Sequence, residues 1–248
     1  MHPVFIHLGH FAIHSYGVCV ALGFLVGLTL ATRRAKAEGL PSETISNLGV
    51  WLIIAGMLGG KLFHVIFFWN DVLAGWRFSG VASLREGFVF YGGFIGASVA
   101  TIVYCRRHQL PLWKVADIFA PSVALGHAFG RLGCFFNGCC YGRACDLPWA
   151  IHFPGHATAV HPTQLYEVTS NLLIFAGLSV CYRHKRFDGQ VWWLYVLSYG
   201  VLRFGVEFFR GDYPYHLAGG FTIGQAIAAV LIVIALAGHS LSMRKTNS

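Results

Sequence analysis

Gly126-His-Ala-Phe-Gly-Arg-Leu-Gly-Cys-Phe-Phe-Asn-Gly-Cys-Cys-Tyr141 sets one guanidinium, Arg131, among apolar and small residues. Its surroundings decide how it is read. Of the 248 residues, 56% are hydrophobic and only 11% charged, against about 25% charged in soluble domains. The composition is that of an integral membrane protein. A charge at bilayer depth costs roughly 2.5 to 3.5 kcal/mol on insertion scales and persists for a ligand or an internal partner.

Working outward from that stretch, apolar runs recur along the chain. The first, Tyr16 to Thr32, follows four histidines (His2, His7, His10, His14) and is followed at once by Arg33, Arg34 and Lys36. A cleaved secretory signal carries its positive charge before the apolar run, so this reads as a first span with the N-terminus outside. Further runs cover about Ile45 to Trp69, Phe88 to Cys105, Val115 into the quoted stretch, His161 to Arg183, Val191 to Phe209 and Phe221 to Ala237. Each is long enough to cross the hydrocarbon core as a helix. The expected fold is therefore all-α, one polytopic membrane domain of seven transmembrane helices spanning 1–248. Outer-face loops are expected near 70–87, 139–162 and 210–220.

Charge orients these spans. With the N-terminus outside, Arg33/Arg34/Lys36, Arg106/Arg107/Lys114, Arg183/Lys185/Arg186 and Arg244/Lys245 fall on one side. Arg77, Arg85, Arg143 and Arg210 fall on the other, and the positive-inside rule makes the C-terminus cytoplasmic. The formal charge of +8 is thus a set of topology signals in small clusters. No basic face is formed, so nucleic acid is not an expected partner. The 30 glycines suit close helix–helix approach in lipid.

Within this topology Tyr91, Arg131, His161, Arg203 and Glu207 lie toward the outer half of the membrane. Arg203 and Glu207 are spaced i, i+4 and can neutralise one another on one helix face. Arg131 has no acidic residue within a turn. Two buried guanidiniums at one depth suit a phosphate, whose oxygens match the planar fork of donors. In a bilayer the abundant phosphate is a lipid headgroup. In His161-Pro-Thr-Gln-Leu-Tyr-Glu167, a proline precedes Gln164 and Glu167, spaced i, i+3; the stretch is either a polar helix start or part of a site, and Glu167 needs a donor. Tyr16, Tyr91 and Tyr166 are individually no more than interfacial aromatics. The glycines from Gly126 to Gly142 are either packing positions or, around Asn137, a helix end that frees backbone amides for an anion.

Cys134, Cys139, Cys140 and Cys145 read C-x4-C-C-x4-C, without the C-x2-C pairs of usual zinc or iron–sulfur sites. A disulfide, or small buried thiols, is expected in preference to a metal. No cofactor is expected. Two other classes compete for the site: a membrane thiol oxidoreductase using this cysteine group, and an anion or lipid transporter using the arginines. No internal repeat, common in transporters, is evident.

The motifs taken together resemble the bacterial prolipoprotein diacylglyceryl transferases. The resemblance runs from His14-Ser-Tyr16-Gly17 through Tyr91-Gly-Gly-Phe-Ile-Gly96, Gly130-Arg-Leu-Gly133 with Asn137-Gly138, and His161 to Glu167, to Arg203 with Glu207-Phe-Phe-Arg210. It implies transfer of the diacylglyceryl group of phosphatidylglycerol to the lipobox cysteine thiol of a prolipoprotein signal peptide, at the bacterial inner membrane. A thioether forms and glycerol phosphate leaves. Arg131 matches the family's essential phospholipid-binding arginine, and Arg203 a second essential arginine. Tyr91 and Glu207 are expected to act with them in the reaction. Tyr16, Asn137, Gly142, His161, Gln164, Glu167 and Arg210 are expected to join Arg131 around the substrate. Two positions depart from the family: Tyr91 stands where histidine is frequent, and Cys134 where asparagine commonly follows the Gly-Arg-x-Gly run.

Overall fold

The computed structural model describes residues 2–8, 11–69, 72, 89–154, 157–211 and 221–247, with the side chains at 8, 11, 90, 91 and 245–247 outside that description. Seven helices account for most of the described residues: α1 (Ser15–Ala37), α2 (Ser42–Phe67), α3 (Phe90–Arg107), α4 (Leu112–Asn137), α5 (Thr163–Arg183), α6 (Gln190–Glu207) and α7 (Ile223–Asn247). Four segments, Ser15–Ala37, Ser42–Phe67, Thr163–Arg183 and Ile223–Arg244, are long and apolar enough to cross a membrane. Leu58, Leu62, Leu173, Val180, Val230 and Val233 are exposed large apolar side chains on three of them. Such an outward face is tolerated where the surrounding medium is hydrocarbon. The protein is a helical membrane protein.

One small departure precedes α1. The histidine-rich lead folds as an antiparallel hairpin of β1 (Val4–Leu8) and β2 (Phe11–His14), pairing Val4 with His14 and His7 with Ala12. Ser15 N donates to Pro3 O at 3.0 Å, which ties the hairpin to the start of α1. The alternation Val4, Ile6, Leu8 carries a strand period that the four histidines masked. Of the expected outer loops, 70–87 apart from Val72, and 210–220 beyond Gly211, lie outside the described residues.

The chain divides into two compact units, Thr32–Val115 and the remainder, Met1–Ala31 with Ala116–Ser248. In the first, α2 and α3 meet backbone to backbone. A Cβ on Gly92 would stand 2.5 Å from both the Gly59 carbonyl and Phe63 Cβ, and one on Gly59 would run into the Gly92 carbonyl. Gly92 and Gly96 form a small-xxx-small stripe, the residue pattern that lets helices approach in lipid. The glycine motif after Tyr91 is thus a packing surface. Lys114 and Glu38 pair at 3.3 Å, and Tyr104 donates its hydroxyl to Thr44 O at 3.1 Å.

The second unit has its apolar core at Ala120, Ala124, Leu178, Val191 and Tyr195. A fully buried carboxylate, Asp117, accepts from the backbone N–H of Gly189 at 2.8 Å and Trp192 at 2.9 Å. It thereby satisfies orphan donors at the start of α6 from a different helix. Lys185 stands 3.7 Å from the same carboxylate. Four of the helices of this unit, α4 to α7, carry the polar residues discussed next.

Candidate functional site

The site is built around two carboxylates. Glu167, one turn into α5, is 2% exposed. Its Oε2 receives Arg131 Nε of α4 at 2.8 Å, so the donor that an intramembrane glutamate requires comes from the helix of the quoted stretch. Arg210, just past α6, approaches Glu167 Oε1 at 3.9 Å, and Arg203 bears on the same carboxylate electrostatically. Arg131 had no acidic residue near it in sequence because its partner is 36 residues further along.

Glu207 closes the last turn of α6. Its Oε2 pairs with Arg203 Nη2 at 2.8 Å, the i, i+4 pairing that the spacing allowed. Its Oε1 accepts the Thr222 hydroxyl at 2.8 Å. Thr222 is the residue before α7, and Thr222 N donates to Gln225 Oε1 at 3.0 Å while Gln225 N donates to Thr222 Oγ1 at 3.2 Å. This reciprocal pair is a capping box. Thr222 thus spends one hydroxyl on starting α7 and on fixing Glu207. Arg203 Nη1, by contrast, is buried with no hydrogen-bond partner among the described residues.

The first turn of α5 fastens the loop that follows α4. Thr163 Oγ1 donates to Cys140 O at 2.9 Å and Gln164 Nε2 to Cys139 O at 2.7 Å. Gln164 is fully buried and its Oε1 has no hydrogen-bond partner among the described residues. Gly142 N donates to His161 O at 2.8 Å and Arg143 N to Phe209 O at 2.9 Å, bringing the loop against the end of α6. Gly142 has no room for a side chain, since a Cβ would meet the Phe209 carbonyl, His161 Cβ and Thr163 Cγ2. The backbone segments that carry Arg143 and Arg210 are therefore in direct contact.

His161 is buried, with Nδ1 3.2 Å from the Tyr166 hydroxyl, which also accepts Trp149 Nε1 at 2.8 Å. Burial, and then Arg143, lower the His161 pKa, which favours the neutral ring. Tyr16, on α1 and 45% exposed, lies against the small residue Gly133, two residues beyond Arg131. Asn137 is the exposed last residue of α4. It engages Cys139 and has no place in the arginine–carboxylate cluster. The Tyr91 side chain lies outside the described residues.

All seven cysteines are free, so of the two expectations for the group of four, a disulfide or small buried thiols, the disulfide does not form. Cys134, Cys139 and Cys140 nevertheless bring their sulfurs within 4.8 Å of one another. The Cys140 thiol is held below the ordinary thiol range, first by its hydrogen bond with Cys134 and further by Cys139, Arg131 and Arg210, against the effect of burial. Cys145 is drawn off by backbone pairing, its N–H donating to Ala159 O at 3.0 Å.

Four polar residues of this neighbourhood escaped the sequence reading. Asn171, fully buried, donates Nδ2 to Glu167 O at 2.8 Å, and an amide inside an apolar run was the available signal. Thr222 and Gln225 were detectable as the capping-box spacing T-x-x-Q. His127, one turn before Arg131, bonds through Nδ1 to the Tyr195 hydroxyl at 3.1 Å and packs on Tyr199; nothing in its spacing pointed to them.

Glu167 takes its arginine from another helix and Glu207 from its own, and clusters of guanidiniums and carboxylates of this kind in a helical membrane protein suit an anion. The family model for prolipoprotein diacylglyceryl transferase matches residues 3–240. A phosphatidylglycerol–prolipoprotein diacylglyceryl transferase of Clostridium tetani (strain Massachusetts / E88) is 36% identical over 241 residues, 95% of this chain and 96% of that one. The enzyme of the same name from Finegoldia magna is 36% identical over 88% of this chain and 86% of its own. That of Geobacter sulfurreducens is 34% identical, with 98% and 96% covered. The chain belongs to the prolipoprotein diacylglyceryl transferase family and is a membrane transferase.

Proposed function

We infer that the protein transfers the diacylglyceryl group of phosphatidylglycerol to the thiol of a prolipoprotein's lipobox cysteine in the bacterial inner membrane. The observation that carries this reading is a charge balance. Arg131, Arg203 and Arg210 face Glu167 and Glu207, so three guanidiniums meet two carboxylates and, with both ionised, one positive charge is left over. A buried donor, Arg203 Nη1, is left over with it. A phosphodiester carries one negative charge and offers acceptors that match a guanidinium fork.

In this reading the substrate thiolate attacks the glycerol carbon that bears the phosphate. The carbon–oxygen bond breaks, its electron pair leaves with glycerol phosphate, and a carbon–sulfur bond forms. Arg131 and Arg203 hold the phosphate and stabilise the charge that grows on it as it departs. Arg210 adds a third cation, and Glu167 orients Arg131 as Glu207 orients Arg203. An ordinary thiol with a pKa of about 8.5 must lose its proton before attack. By resemblance Tyr91 is the candidate proton acceptor, at the position where the family often has histidine. Tyr16, Asn137, Gly142, His161 and Gln164 line the approach of lipid or peptide. Seven crossings with the N-terminus outside and the C-terminus in the cytoplasm put these groups in the outer half of the bilayer, where a signal peptide presents its cysteine.

The deciding assay incubates the purified protein with phosphatidylglycerol vesicles and a lipobox peptide and reads the thioether-linked mass of the product. Turnover is expected with phosphatidylglycerol and lost when the peptide cysteine is replaced by serine. No product across several lipid compositions would overturn the reading. Tyr91→Phe with unchanged kinetics would remove the phenol from proton transfer.

A further inference from the structure

Three thiols take no part in the chemistry above. Cys134 lies in the last turn of α4, and Cys139 and Cys140 follow the helix end. They are brought together by the backbone. Gly138 ends the helix at φ 72°, and Cys139 N donates to Cys134 O at 3.2 Å, turning the chain back on itself. Cys140 then adopts φ 63°, a left-handed conformation that is unfavourable for a residue with a Cβ. Surrounding structure holds it there, because Thr163 and Gln164 pin the carbonyls of Cys140 and Cys139. The sulfurs therefore converge on a backbone frame held largely by Thr163 and Gln164, with the Cys139 thiol adding a contact to Cys134 O at 3.7 Å.

Three thiolates around one metal stand about 2.3 Å from it, and hence about 4 Å from each other when they surround it in a plane. All three sulfurs here lie within 4.8 Å of one another, and among the described residues no fourth His, Cys, Asp or Glu atom joins the group. Structural zinc sites close with four protein ligands, whereas soft thiolate ligands select Cu(I) as well as zinc. We propose that Cys134, Cys139 and Cys140 form a three-coordinate thiolate site for a soft monovalent metal cation, Cu(I). On binding, three S–H bonds are exchanged for three metal–sulfur bonds and three protons pass to solvent. The metal enters already cuprous, so no electron moves. Arg131, three residues before Cys134 on the same helix face, offsets the negative charge of the thiolates. The bound cation ties the end of α4 to the turn that the first residues of α5 hold. This site is independent of the transferase reading.

The test uses the full-length protein, purified anaerobically in detergent, reduced, and freed of metal. Cu(I) is titrated against a coloured Cu(I) chelator, and the thiols protected from alkylation are mapped by mass. One equivalent per chain is expected, with protection confined to Cys134, Cys139 and Cys140 and three sulfurs at about 2.3 Å by X-ray absorption. Cys134→Ser, Cys139→Ser and Cys140→Ser should each weaken binding by more than about tenfold. The triple variant Cys19→Ser/Cys105→Ser/Cys181→Ser should bind like the parent. Protection of other cysteines, two-coordinate metal, or unchanged affinity in Cys139→Ser would overturn the site. Zn²⁺ displacing Cu(I) at equal concentration would overturn the choice of metal. Should a variant fail to fold, the protection map on the parent protein decides by itself.

Discussion

Glu167 and Glu207 are both almost completely buried and both paired with an arginine at 2.8 Å, yet they are held in different ways. Glu207 is closed locally: its arginine is on the same helix face, and its second oxygen takes the hydroxyl of the cap that starts α7. Glu167 draws its arginine from another helix, and its second oxygen has only Arg210 at 3.9 Å. A carboxylate with one oxygen hydrogen-bonded to a cap and the other in close ion-pair contact with its own helix's arginine behaves as a fixed counter-charge. One with an oxygen held only at a distance leaves its cations able to turn to another anion. The Glu167 cluster is thus the more open of the two to an incoming anion, and Glu207 is a strut for Arg203.

The largest effect that would sharpen this comparison is on catalysis. Arg131→Ala should lower transfer to a lipobox peptide by about 10²- to 10³-fold or more, the usual cost of removing a donor aimed at developing charge. Near-normal turnover would break the assignment. Next, Glu167→Ala strands a buried guanidinium and should destabilise the protein by about 3 to 5 kcal/mol, read as a lower denaturation midpoint in detergent. Glu167→Gln, which keeps an acceptor, should fold better and isolate the loss of activity. Arg203→Lys keeps the charge and loses the fork, and a fall on the order of tenfold in turnover is expected. The smallest effect belongs to the strut: Thr222→Val removes the cap and the hydroxyl on Glu207 together, for about 1 to 2 kcal/mol of stability. If Thr222→Val instead abolished turnover in a well-folded protein, the two carboxylates would not differ as described.

The helices were legible because their signal is local. Apolar runs near the thickness of a bilayer locate α1 to α7, although α1 and α7 run on past their apolar runs to Ala37 and Asn247. The hairpin before α1 was not read, since two strands of four and five residues among four histidines are a weak signal beside a long span. Arg131 and Arg203 stood out by cost alone. Asn171 and Thr222 did not, because a neutral polar group in an apolar run is cheaper than a charge and is easily passed over.

By itself, then, the sequence determined that this is a helical membrane protein, which residues are too costly to be idle in it, and the family to which its motifs belong. Those properties follow from composition, periodicity and the price of a charge in hydrocarbon. Only the tertiary structure decided that Arg131 answers to Glu167, 36 positions away, and that three of four clustered cysteines converge while Cys145 leaves with a backbone bridge. Pairing across helices depends on which faces meet and on where a chain can turn left-handed. Neither is written in the spacing of residues along one strand of sequence.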